Sequence, residues 1–67
     1  MDEIIRTERV PEGILLTVKT GDEEKDLVFG FPELIDQEIN ALHLLVAPHK
    51  YLCDPEKRII TRRHRKG

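Results

Sequence analysis

The chain has no serine and no tryptophan, and in 67 residues it has one cysteine, one tyrosine, two phenylalanines and four glycines. Each shortage closes a door. Without serine there is no serine nucleophile. With Cys53 alone there is no disulfide within the chain, so a domain this small lacks the usual covalent staple. A lone cysteine fits a reducing compartment, and a cytoplasmic location is expected. Gly13, Gly21, Gly30 and Gly67 form no phosphate-cradling motif. The longest apolar stretch, Leu44 to Ala47, is far too short to span a bilayer, so no membrane is expected. Met1 is followed by Asp2 and Glu3, which opposes a positively charged secretory leader.

What the chain has in quantity is charge. Charged residues make up 36%, yet the net charge is only −2. Residues 1–40 hold 11 acids against Arg6, Arg9, Lys19 and Lys25, whereas residues 41–67 hold seven bases against Asp54 and Glu56. An acidic front and a basic end suit an electrostatic partner, or two halves that attract one another within one fold or across a dimer.

The length sets one domain over residues 1–67. Ile4 to Val10 reads as a strand, and Pro11-Glu12-Gly13 as a tight reversal. Ile14, Leu16 and Val18 then share one face at period two, with Leu15, Thr17 and Lys19 on the other. Gly21 to Glu24 is a second turn, and Lys25 to Phe29 a third strand, giving an antiparallel meander.

At Gly30 the period changes. Pro32 suits a first helical turn, and Glu33 and Asp36 suit the positive end of a helix. Phe31, Ile35, Ile39, Leu42 and Val46 form one stripe, flanked by Leu34 and Leu45, with Asn40, Gln37, Glu33 and Asp36 opposite. The spacing predicts one amphipathic helix burying that stripe. Leu44 breaks the pattern by falling in the polar face. Either the helix ends near Leu42 and residues 43–47 are extended, or Leu44 meets another surface. Pro48 sets the latest stop. Lys50 to Cys53 and Arg58 to Arg63, joined through Asp54-Pro55, predict a C-terminal hairpin, with residues 64–67 a fraying basic tail. The expected class is α+β, a two-layer domain of β-β-β-α-β-β order with one helix on an antiparallel sheet.

Catalytic and metal chemistry find little support. Cys53 would need a base, and His49, four residues away between Pro48 and Pro55, is poorly placed to serve. His43, His49, Cys53 and His64 lack the paired short spacings of a zinc site. Asp22, Glu23, Glu24 and Asp26 cluster on a turn but do not match a calcium loop. The sequence therefore predicts no enzyme, no cofactor and no metal. It predicts a binding module whose partner is protein, including a second copy of itself, with Leu44, Asn40 and Gln37 as contact candidates. The alternative is nucleic acid, contacted through Arg58, Arg62, Arg63, Arg65 and Lys66. Against this stands the scarcity of aromatic stacking platforms, since Tyr51 is the only aromatic near the basic segment.

Overall fold

A computed structural model describes residues 1–63. Five strands, β1 (Asp2–Val10), β2 (Gly13–Thr20), β3 (Glu23–Gly30), β4 (Tyr51–Asp54) and β5 (Ile59–Arg62), form one antiparallel sheet in the order β3-β2-β1-β4-β5. Between β3 and β4 the chain forms α1 (Phe31–Asp36), α2 (Ala41–Val46) and a 3-10 turn, Pro48–Lys50. The α+β class and the antiparallel sheet match the expectation. The single helix does not, and the order of elements gains a second helix and the 3-10 turn.

Glycine is required at two places in the meander. Gly21 has φ +64 and opens a two-residue loop, the position a type II′ turn reserves for glycine. Gly13 has φ +153, and a Cβ there would overlap the Phe29 carbonyl oxygen, so β2 and β3 approach in a way only glycine permits. Alternation then follows the sequence. Ile14, Leu16 and Val18 are fully buried, and they face Phe29, Leu27 and Lys25 of β3. In β1 the register shifts between Ile4 and Arg6, leaving Ile5 as an extra, exposed residue. Such a bulge bends a strand and increases its twist.

The sheet curls around its apolar side. β1 and β4 share only the pairs Asp2–Cys53 and Glu3–Leu52. Although β3 and β5 lie at opposite edges, Arg58, in the turn before β5, reaches β3 and donates to the Val28 carbonyl at 2.6 Å. The gap between these edges is filled by α1. Its C-terminal Gln37 pairs with the β5 edge as a strand would. Gln37 Oε1 accepts from the Ile60 amide at 2.8 Å, and Nε2 donates to the Arg58 carbonyl at 3.1 Å. Every strand and both helices contribute to one core, through Ile4, Ile14, Leu16, Val18, Phe29, Leu34, Ile39, Leu44, Tyr51, Cys53 and Ile60.

The helix breaks for a local reason. Glu38 takes a left-handed φ of +59. The Glu38 amide then donates to the Ile35 carbonyl and the Ile39 amide to the Leu34 carbonyl, each at 2.9 Å. This is the Schellman arrangement that ends helices, completed by apolar contact between its third-last residue and the residue after the turn. Leu34 and Ile39, both buried, hold those two positions. Asn40 starts α2 by accepting from the His43 amide at 3.1 Å. Thr7 of β1 donates to the Leu44 and Leu45 carbonyls and satisfies the other end.

The break reverses the faces. Instead of burying the stripe, the two short helices bury Leu34 and Leu44, and of the stripe only Ile39 is inside. Phe31, Ile35, Leu42 and Val46 are exposed. Leu44, expected on the outside, is at 0% exposure.

Two substitutions test this account in urea denaturation. Glu38→Gly should stabilise by about 0.5–1 kcal/mol, because glycine adopts the left-handed position freely and a carboxylate leaves the negative end of α1. Gln37→Ala should cost about 2 kcal/mol, because it leaves the Ile60 amide without its partner.

Candidate functional site

Cys53 is free and fully buried. Burial, then Asp54 and Asp2, push its thiol up to about 11, so at neutral pH it is protonated and packed as a small apolar group. His43 uses Nδ1 in a 2.6 Å hydrogen bond with the buried Tyr51 hydroxyl, their rings meeting edge-on. His49 is exposed on the 3-10 turn, and His64 lies outside the described residues. Among the described residues no three His, Cys, Asp or Glu side chains gather as metal ligands would, and no helix is long and apolar enough to cross a membrane. In the acidic turn, Asp26 accepts from Thr17 Oγ1 at 2.9 Å, and Asp22, Glu23 and Glu24 are exposed.

The arginines proposed for nucleic acid have different fates. Arg58, at φ +55, is committed to the fold. Its guanidinium meets both Glu33 carboxylate oxygens, at 3.0 and 2.8 Å, as well as the Val28 carbonyl. It also lies 4.5 Å from the centre of the Phe29 ring. The hydrogen bond and charge of Arg58 hold the Glu33 carboxyl below its ordinary range. Arg63 is paired with Glu3 at 3.0 Å, and its amide bonds to the Lys50 carbonyl. Arg62 is exposed and has no ion pair among the described residues. Arg65 and Lys66 lie outside the described residues. Of the three candidates among the described residues, two are thus paired with carboxylates and Arg62 is not.

The protein-contact candidates are likewise occupied. Gln37 pairs with the β5 edge, Asn40 caps α2, and Leu44 is core. What was expected to be core is now the surface. Phe31 and Ile35 are one turn apart on α1, Leu42 and Val46 one turn apart on α2. Phe31 and Leu42 line one shallow depression of about 220 Å³, shared with Arg9, Ala41 and Leu45. The depression joins Phe31 of α1 to Leu42 of α2, and Ile35 and Val46 lie outside its lining. Ile35, Leu42 and Val46 are each 71% exposed. By contrast the outer face of the sheet is mixed, with Arg6, Glu8 and Lys19 among Leu15, Thr17, Asp26 and Val28. The apolar face left one readable trace in the sequence. Asn40 is a helix N-cap residue directly before Ala41, and a helix starting there frees α2 from the phase of α1.

Comparison with family models, curated proteins and solved structures finds no match to this chain.

The buried thiol gives a pH test. Its folded pKa lies above its ordinary 9.0, so the stability tied to the neutral thiol is fully present below about pH 9 and is lost as pH rises toward 11. The loss should reach about 2–3 kcal/mol. Denaturant titrations from pH 7 to 11 should show a steeper decline for the native sequence than for Cys53→Val, whose apolar side chain cannot ionise. Equal declines would contradict it.

Proposed function

We propose that this protein is a small non-enzymatic module that acts by binding protein, through the outer face of its two helices. The observation that carries the reading is the exposure of Phe31, Ile35, Leu42 and Val46 on the two short helices, with Phe31 and Leu42 meeting across one depression. A chain of this length has little apolar material to spare, because small domains bury a modest share of their surface. Here four of its larger apolar side chains stand outside the core. Their exposed area is on the order of 400 Å², the size at which a surface patch on a monomer is often functional. An interface with an apolar centre and a charged surround has this composition. Nucleic acid is less well served, since Arg58 and Arg63 are already paired with carboxylates.

Two measurements test the reading. Replacing Ile35, Leu42 and Val46 together by glutamine should change folding stability by no more than about 1 kcal/mol, as surface substitutions do. A larger loss would make these residues supports of the fold. A photo-cross-linking amino acid in place of Leu42, in living cells, should yield discrete protein adducts, and the same residue in place of Lys19 on the outer sheet face should not. Absence of adducts at position 42, or equal yields at both positions, would overturn the reading.

A further inference from the structure

The depression between the helices carries one charge. Of the five residues that line it, Phe31, Ala41, Leu42 and Leu45 are apolar, and Arg9 is the fifth. Strand register explains the arginine. After the bulge in β1, Thr7 stands opposite Leu16 and Arg9 opposite Ile14, and both of these β2 residues are fully buried. Directly opposed residues share a face, so Arg9 lies on the core side of β1. On that side Thr7 bonds to the Leu44 and Leu45 carbonyls of α2. Arg9, two residues further on, is exposed and has no ion pair among the described residues.

We infer that the depression receives a segment of a foreign protein that presents an apolar side chain with a carboxylate beside it. The apolar group lies between Phe31 and Leu42, and the carboxylate meets the Arg9 guanidinium. The inference rests on the reading of this face as a protein-contact surface and adds the chemistry of the partner.

Two arguments select that occupant. The first is desolvation. A partner seated between Phe31 and Leu42 also removes water from Arg9, which belongs to the same lining. A guanidinium offers only donors and keeps its charge, so covering it without a counter-charge is costly. A carboxylate turns that cost into a bidentate pair, in surroundings where charges act more strongly than in water. A basic partner is repelled by the same group. The second argument is size. Small-molecule pockets hold about 300–1,000 Å³ and enclose most of their ligand. This depression holds about 220 Å³ and is shallow, which suits a side chain projecting from a larger body. Amphipathic segments dock in this way, by apolar anchors set in a groove.

Selection of random dodecapeptides displayed on phage, against the immobilised whole chain, tests it. Peptides enriched on the native sequence should carry Asp or Glu beside Leu, Ile or Phe. The most enriched peptide, made synthetically, should bind Arg9→Ala about three- to tenfold more weakly, the loss expected of one arginine–carboxylate pair. Arg9→Lys should recover only part of this, because an ammonium lacks the planar fork. Arg6→Ala, on the outer face of the sheet, should leave binding unchanged. Selection on Arg9→Glu should turn the preference from acidic to basic peptides, and Leu42→Gln should abolish enrichment. Both positions are exposed, so the circular dichroism spectra should match the native one. Enriched peptides without an excess of acid, an acidic excess that persists on Arg9→Glu, or equal losses in Arg6→Ala and Arg9→Ala overturn the inference. So does a Leu42-dependent dimer in sedimentation that the peptide fails to displace, which would make the occupant a second copy. Arg9-dependent binding of decanoate with no peptide enriched would make it a small amphiphile and overturn the inference equally. Cross-linking separates the two levels. Discrete protein adducts at position 42, beside a library with no acidic preference, remove the partner's chemistry and leave the contact surface standing. No adducts and no enriched peptide overturn both.

Discussion

Arg58 and Gln37 close the fold. A five-stranded sheet with one apolar side must either be covered or curl upon itself, and this one curls around Ile14, Leu16, Val18 and Phe29. Curling leaves two edges facing a gap, each with backbone groups that must find partners. The Gln37 amide serves the β5 edge with both its donor and its acceptor, and the Arg58 guanidinium serves the β3 edge at Val28. The costs and gains at Arg58 can be weighed. Its left-handed backbone costs about 1 kcal/mol. An exposed ion pair with Glu33 returns only about 0.2–1. The bond to the Val28 carbonyl and the contact with the Phe29 ring return about 1 each. The residue therefore favours the fold through where it reaches, far more than through its ion pair.

Closure also dictates the helices. For Gln37 to lie along β5, α1 must stop there, and the left-handed Glu38 and buried Ile39 make the stop. A helix running on from Phe31 to Val46 would carry the chain past the gap and bury Ile35, Leu42 and Val46. Stopping at Gln37 and restarting at Asn40 resets the phase, so Leu34 and Leu44 become the inward residues. The requirement at the sheet edge thus decides which apolar side chains face water.

Much of the sheet was legible in the sequence, because strand alternation is a local signal that β2 obeys residue by residue. Glycine at the two turns marked the hairpins for the same reason. The helical region was misread because its decisive residue carries the wrong signal. Helix ends are recognised by glycine, and here glutamate takes the left-handed position under the constraint of Gln37 and Ile39, both of which answer to distant partners. The stripe at spacings of three and four is present in the sequence, but no single helix uses it. Leu44 looked out of place only against a phase that the chain abandons at residue 38. The commitment of Arg58 to the fold was illegible for a similar reason. Charge composition cannot distinguish Arg58, bound across 30 residues to Val28, from a residue turned to solvent.

The same constraint explains why a small chain would leave a large apolar surface uncovered. Two six-residue helices are too short to be stable by themselves and depend on packing. Each turns only one fully buried leucine to the core, Leu34 and Leu44, while the linker between them adds Ile39. Beyond these and the half-buried Ala41 and Leu45 that pack on the core, the apolar side chains of α1 and α2 lie outward, where polar residues would cost the fold little. The chain nevertheless keeps isoleucine, leucine and valine at those sites, and keeps acids beside them where the end of α1 disfavours acids. Folding requires neither choice. Contact with another surface would account for the apolar choice.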